Sequence, residues 1–339
     1  MASTVACFGE ILLRLSGPGC ELLLQSPTLN VFIGGAEANV AVSLAHFGHK
    51  TSVVTALPEN PMARAAVGEL RRHGVDTKDV RFHSDGRLGL YFLETGAGHR
   101  PSNVIYDRAD STFALTPPTF QDTPQFLSGA DWLHVSGITP AVGPRAADAA
   151  LQAVKRAAEH DVSVSFDCNY RAKLWDRWRG DAPRILHDLA SHADLMFGEE
   201  RDLALILGLD LSSVPPRDRF VAAGEAAFKA FPRLRRLATT VRIQHNVDHH
   251  ELAARMLTRD RLYETRFYTL GKIVDRIGSG DAYAAGVLHG ICTGMDDQTI
   301  IEFGLGAAVL KHSIPGDFNV VSVSDVQSLL TDAGFAVRR

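Results

Sequence analysis

Short apolar runs alternate along this chain with longer stretches of helical periodicity. Thr4–Phe8, Thr51–Thr55, Trp132–Val135, Ser163–Phe166, Leu195–Phe197 and Leu237–Val241 read as strands buried on both faces. Pro61–His73, Pro144–His160 and Ala182–Ser191 read as crossover helices, and Val40–Phe47 is a further helix stopped by Gly48. The C-terminal part is helix-rich, with Gly278–Thr293, Asp297–His312 and Asp325–Ala333. This alternation predicts an α/β fold with a doubly wound, mostly parallel sheet flanked by helices, as one domain over residues 1–339. Two regions, about 11–33 and 87–107, break the rhythm: they look extended but carry polar interruptions, and Leu90, Phe92 and Leu93 alternate imperfectly. Strand-like insertions so far apart in sequence predict a small accessory sheet; the other reading is a pair of surface hairpins.

Composition narrows the classes. The chain has 339 residues, enough for a sizeable core, and 45% hydrophobic with 22% charged residues is ordinary for a globular protein. A formal net charge of −4 gives no electrostatic footprint for nucleic acid. No apolar run is long enough to span a bilayer, and the N-terminus has no basic region ahead of an apolar core, so neither a membrane partner nor export is expected. Cys7, Cys20, Cys168 and Cys292 are scattered without a Cys-x-x-Cys, which suits a reducing cytoplasm better than a disulfide framework or a cysteine metal site.

The chemistry concentrates in Asp275-Arg276-Ile277-Gly278-Ser279-Gly280-Asp281, which opens an Ala/Gly-rich helix. Glycines flanking a serine let successive N–H groups converge, and a helix start adds the positive end of its dipole, so Gly278, Ser279 and Gly280 form a candidate anion hole. A carboxylate at its mouth repels phosphate and suits a general base, which makes Asp281 the candidate for taking a hydroxyl proton in phosphoryl transfer. The plainer alternative is a glycine turn with Asp281 as a cap. Gly34-Gly35-Ala36-Glu37-Ala38-Asn39 lies ahead of another helix. Gly34 and Gly35 clear space for a ligand to approach closely, and Asn39 can donate and accept hydrogen bonds or cap its helix.

The two glycine motifs, in this order and far apart, resemble the two signatures of the ribokinase-like (PfkB) carbohydrate kinases, and the resemblance covers nearly all of the chain. Gly89-Leu90-Tyr91, Tyr106-Asp107-Arg108, Ser136-Gly137-Ile138-Thr139 and Asp167-Cys168-Asn169-Tyr170-Arg171 with Leu174-Trp175 are similar to the 2-keto-3-deoxygluconate kinase branch. The resemblance implies ATP and Mg²⁺ as cofactors and a sugar acid as partner. It implies that Tyr106, Arg108 and Arg171 hold the 2-keto acid end, that Tyr91 and Ile138 line the pocket, and that Asp317 sits near the other end. Two arginines suit a carboxylate, which guanidinium binds with charge assistance. Asn169, Arg242, Gly278 and Gly280 become the nucleotide contacts. The insertions become a lid over the sugar and a surface for homo-oligomer formation. The implied reaction is ATP-dependent phosphorylation of 2-keto-3-deoxy-D-gluconate at O6.

Three places depart from the family pattern. The turn expected to be Lys/Arg-Gly-x-x-Gly reads Thr239 to His250 without a glycine, leaving Arg242 as the cationic candidate in a loop. His245, His249 and His250 there read as polar loop residues rather than metal ligands. The usual Asn-x-x-Glu is Glu199-Glu200-Arg201-Asp202, so Glu199 and Asp202 are candidates for ordering Mg²⁺ or, equally, first-turn helix acids. Arg276 replaces a small or β-branched residue beside the anion hole. A neutral-sugar kinase such as a fructokinase, and a degenerate kinase fold that binds sugar acid without turnover, remain open at this point. A dinucleotide oxidoreductase and a P-loop kinase lack their glycine fingerprints here.

Overall fold

The computed structural model describes residues 2–119, 123 and 125–331. Seven strands run parallel at its centre: β1 (Thr4–Phe8), β4 (Lys50–Pro58), β5 (Val80–His83), β8 (Trp132–Ser136), β9 (Ser163–Asp167), β10 (Leu195–Phe197) and β11 (Arg236–Gln244), in the spatial order β5-β4-β1-β8-β9-β10-β11. An antiparallel edge follows, in which β12 (His249–Thr258) pairs with β11 and itself carries β13 (Leu262–Glu264) and β14 (Tyr268–Gly271). The central strands are buried nearly end to end, as the continuous apolar runs require.

Helices cover both faces. On one side α1 (Ala36–His46), α2 (Pro61–Arg72), α9 (Ser279–Cys292), α10 (Asp297–Lys311) and α11 (Val323–Leu330) enclose a core that includes Val40, Val67, Tyr283, Phe303 and Val326. On the other, after the single turn α3 (Thr112–Leu115), α4 (Pro144–Glu159), α5 (Ala172–Trp178), α6 (Ala182–Ala190), α7 (Glu200–Leu207) and α8 (Arg219–Ala230) enclose Ala146, Trp175, Leu186, Leu203 and Phe220. α9 and α10 press together through glycine: a Cβ on Gly286 would stand 2.6 Å from the Gly304 Cα. That close approach fixes the helix that opens at the anion-hole motif.

A separate four-stranded sheet, ordered β3-β2-β6-β7, comes from β2 (Leu12–Ser16), β3 (Asn30–Gly34), β6 (Gly89–Glu94) and β7 (Asn103–Asp107). Register divides its faces. Phe32, Arg14, Tyr91 and Tyr106 align across one face, and Val31, Leu15, Phe92 and Ile105 across the other.

The structure departs from the sequence reading at the antiparallel edge. Residues 239–250 are not a loop: β11 runs to Gln244, so Arg242 lies on a strand, and β12 starts at His249. His250 is a fully buried strand residue rather than a polar loop residue. β12 contains no β-branched residue until Thr258, so its strand character comes from ladder pairing with β11. α11 begins at Val323, earlier than expected, and Asp332 and Ala333 lie outside the described residues.

Candidate active site

Strand order reverses at β1, with β4 on one side and β8 on the other, and open α/β sheets form a crevice beyond the carboxyl ends of strands at such a switch. Residues just past those ends, Ile138, Asn169, Arg171 and Glu199, line it here. A cavity of about 440 Å³ opens there, lined by Gly35, Asn39, Tyr91, Tyr106, Arg108, Ile138, Asn169, Arg171, Arg242, Arg276, Gly278, Gly280, Asp281 and Asp317 among others. A second cavity of about 630 Å³ shares Asp167, Asn169, Arg171 and Gly280 with it and continues to Phe197, Glu199, Asp202, Thr240 and Tyr283.

The two glycine motifs meet between these cavities. Asn39 on α1 donates from Nδ2 to Asp281 Oδ2 at 2.6 Å, across 242 positions of sequence. Burial raises the Asp281 carboxyl to about 6; the Asn39 hydrogen bond pulls the other way and Asp317 adds to the rise. Gly278 caps α9 with φ of 80°, and a Cβ there would stand 2.0 Å from the Asp317 carbonyl oxygen, so only glycine fits. Gly35 has φ of 146° and a Cβ there would strike the Glu10 carbonyl. The amides of Gly280 and Asp281 have no acceptor among the described residues, whereas the Ser279 N–H closes a turn onto the Arg276 carbonyl at 3.3 Å. Ser279 is buried and does not line the cavity, so its N–H is not an open donor of the anion hole. Gly34 lies off the cavity as well. A Cβ there would stand 2.4 Å from Asp317 Oδ2, so this glycine makes room for Asp317 rather than for a sugar.

Charged groups on the small-sheet side are paired. Arg14, 1% exposed, meets Asp275 with Nη2–Oδ2 at 2.6 Å and Nη1–Oδ1 at 3.2 Å, and reaches Asp317 with Nε–Oδ1 at 3.1 Å. Tyr91 donates its hydroxyl to Asp317 Oδ2 at 2.6 Å. Arg108 is buried with its Nε 2.6 Å from Glu10 Oε2, and no other hydrogen bond engages its guanidinium among the described residues. Its charge is therefore already balanced by Glu10, a partner the sequence did not signal. Glu37 accepts from the Ser136 amide at 2.9 Å and from the Thr139 hydroxyl, which holds the turn carrying Ile138, and burial raises it to about 7.

The opposite side is under-compensated. Asp167 rises to about 8, first through burial and then through Asp281, while Arg171 opposes. Burial also raises Asp202. Arg171 bonds the Tyr170 carbonyl at 2.9 Å and has no ion-pair partner among the described residues. Arg242 and Arg276 line the first cavity together, and the side chain of neither forms an ion pair or hydrogen bond among the described residues. Asn169 has φ of 35° and donates to Ser136 Oγ at 2.9 Å. Asp202 caps α7 by accepting the Glu199 amide at 2.8 Å, and Glu199 pairs with Arg201. Both still line the larger cavity. Among the described residues no group of three His, Cys, Asp or Glu stands in metal-binding array. Mg²⁺ does not need one, since it takes one or two carboxylates together with water and phosphate oxygens, and Asp167, Asp202 and Glu199 supply that donor chemistry.

Residues 2–319 match the family model of the pfkB family carbohydrate kinases, so the chain belongs to that family. It is 32% identical over 336 residues to a 2-dehydro-3-deoxygalactonokinase of Haloferax volcanii, covering 98% of this chain and 99% of that one. Among solved structures it resembles a 2-dehydro-3-deoxygluconokinase of Thermotoga maritima, with a TM-score of 0.90, 35% identity and coverage of 97% of this chain and 99% of that one. A PfkB family carbohydrate kinase of Listeria grayi gives the same TM-score and identity, with coverage of 97% and 100%. The ribokinase-like fold and the carbohydrate-kinase class follow. Among the described residues no helix is long and apolar enough to cross a membrane.

The sequence reading missed Glu10, Arg14, Asp167 and Lys311. Asp167 carried a signal as the first residue of the Asp167-Cys168-Asn169-Tyr170-Arg171 motif, and Lys311 as a lysine at the end of an apolar run in α10.

Proposed function

We propose that this carbohydrate kinase transfers the γ-phosphoryl group of ATP to O6 of 2-keto-3-deoxy-D-gluconate. The observation that carries the reading is the Asn39–Asp281 hydrogen bond, which ties both glycine motifs to one raised carboxyl beside a cavity that also presents Arg108 and Arg171. The relatives named for 2-dehydro-3-deoxy sugar acids support the substrate class.

In this reading the sugar carboxylate lies against Arg171 and the free end of the Arg108 guanidinium, with Tyr106, Ile138 and Tyr91 shaping the pocket and Gly35 letting the sugar approach the backbone. Asn39 orients Asp281, and Asp281 takes the O6 proton as the phosphoryl group arrives. The amides at Gly280 and Asp281 and the turn at Gly278 receive the charge that develops on the transferring group. Arg242 and Arg276 hold the phosphate chain with fixed cationic charge in place of a glycine turn, and Asn169 contacts the nucleotide from the β9 end. Mg²⁺, when bound, neutralises phosphate charge, and Glu199, Asp202 and Asp167 would hold it or its waters. The small sheet serves as the lid. Its outer row, with Val31 58% and Ile105 48% exposed, suits a second copy of the chain, and light scattering of a Val31→Lys variant tests that interface.

The test is ADP release with Mg·ATP and 2-keto-3-deoxygluconate, its galactonate epimer, fructose, ribose and gluconate, with phosphorus NMR of the product. Turnover confined to the keto-deoxy acids, with phosphate on O6, is expected. Turnover on fructose or ribose instead would replace the substrate assignment and remove the carboxylate roles of Arg108 and Arg171.

A further inference from the structure

Lys311 ends α10 and is fully buried, at 0% exposure. A buried ammonium has lost its hydration and persists only where fixed charges or dipoles replace the water. Its Nζ donates to the Ile314 carbonyl at 2.9 Å. Burial pulls its pKa below the ordinary lysine value; Asp275 and Asp317 work against that fall, Asp281 adds to them, and Arg14 deepens it. Its side chain lies beneath the anion-hole turn: a Cβ on Gly278 would stand 3.4 Å from Lys311 Cε. The same turn is fastened to the segment after Lys311. Val274 and Asp275 donate to the His312 carbonyl at 2.9 and 3.2 Å, and the Gly316 N–H donates to Asp275 Oδ2 at 3.0 Å. Lys311 therefore sits inside the clasp that carries both Gly278 and Asp317.

The charges explain why a cation is needed there. Asp275, Asp281 and Asp317 surround the turn, and Arg14 is the cation paired directly with Asp275 and Asp317. With Arg14 as the sole counter-charge, the floor of the anion hole would repel the phosphate it is shaped to receive.

We propose that Lys311 is a built-in cation of the phosphate seat, a positioning residue whose ammonium, hydrogen-bonded to the Ile314 carbonyl beneath the Gly278 turn, steadies that turn and offsets the carboxylates around it. The inference rests on the phosphoryl-transfer reading of the cleft. Cutting the side chain back to alanine leaves a hole that faces the Ile314 carbonyl oxygen within the field of the Asp275 and Asp317 carboxylates, a setting that favours potassium or ammonium over water. Methionine fills the same space without charge.

The experiment compares wild type, Lys311→Met and Lys311→Ala in choline chloride, with ammonium, potassium or lithium chloride then added. Rates are taken with Mg·ATP and 2-keto-3-deoxygluconate, and thermal unfolding is followed in the same salts. Wild type is expected to change less than about twofold with any salt, while Lys311→Met loses about 50-fold in kcat with the sugar KM within about threefold and no salt restoring it. Lys311→Ala is expected to lose as much in choline and to regain about tenfold in ammonium or potassium but not in lithium, with a matching rise in Tm. A variant that folds only in ammonium or potassium also supports the proposal. Both variants within about threefold of wild type in kcat overturns it. So does a loss in Lys311→Ala that no salt restores in either kcat or Tm, or an alanine variant that folds in none of the salts. If wild type itself phosphorylates no sugar acid, the functional reading fails, and the Tm response of Lys311→Ala still decides the cation site.

Discussion

The two halves of the cleft are built on opposite electrostatic terms. On the small-sheet side the charged groups that line the cleft have partners in place: Arg14 with Asp275 and Asp317, and Arg108 with Glu10, while Asp281 is held by the neutral amide of Asn39. On the side of β9 to β11, Arg242, Arg276, Asp167 and Asp202 form no ion pair among the described residues, and Arg171 offsets the two acids only from a distance. A closed set of pairs gives a rigid, preorganised pocket, which suits a neutral polyol chain bearing one carboxylate. An open set is completed by what binds, which suits a polyanionic phosphate chain arriving with a divalent cation.

Breaking a pair on the closed side has the largest effect on folding. Arg14→Met leaves the buried Asp317 carboxylate and the half-buried Asp275 carboxylate without their shared cation, and a loss of about 3–5 kcal/mol is expected by denaturant titration. A loss under about 1 kcal/mol, on the order of an exposed ion pair, would show that the pairs are not buried in effect. On the open side the expectation reverses. Arg242→Ala and Arg276→Ala should each raise the ATP KM about tenfold, leave the sugar KM in place, and change stability by no more than about 0.5 kcal/mol. A rise in sugar KM alone would move these arginines to the other half.

A smaller effect sharpens the comparison from outside the cleft. His49 Nε2 and His289 Nδ1 lie 2.9 Å apart where β4 begins and α9 ends, and burial pulls His289 down to about 4. The unfolded chain takes up the proton first, near 6.5, so this pair costs stability as pH falls from about 6.5 to about 4 and nothing above that window. His289→Asn should shrink the fall in Tm between about pH 7 and pH 5, and an unchanged fall would assign it to other groups. Raised acids act in the opposite sense: with the folded Asp281 at about 6 against 3.8, ionisation costs the fold as pH rises between those values. The smallest effect belongs to Arg201→Ala, since the Arg201–Glu199 pair is solvent-exposed, and a change within about 0.5 kcal/mol is expected.

The same division governs what could be read in advance. Central strands such as Trp132–Ser136 are legible because burial on both faces leaves a continuous apolar run. The anion-hole turn is legible because Gly278 must hold a backbone angle that other residues resist. β12 was not legible, because its residues have weak strand preference and its form comes from its partner strand. Nor were the buried pairs: Arg14 and Asp275 are 261 positions apart, Arg108 and Glu10 are 98 apart, and nothing local marks either arginine as internal. Arg242 and Arg276, whose side chains pair with nothing among the described residues, were visible as departures from a pattern.

The central proposal is that Asp281, held by Asn39, is the base that takes the proton of the sugar hydroxyl as its oxygen attacks the γ-phosphoryl group. Single-turnover transfer from ATP to 2-keto-3-deoxygluconate by wild type and Asp281→Asn, with sugar binding followed calorimetrically, tests it most directly. The account predicts a loss of about 10²–10⁴-fold in transfer with binding nearly unchanged, and an acid limb near pH 6 that only wild type shows. An Asn variant that transfers phosphate within about tenfold of wild type would contradict it.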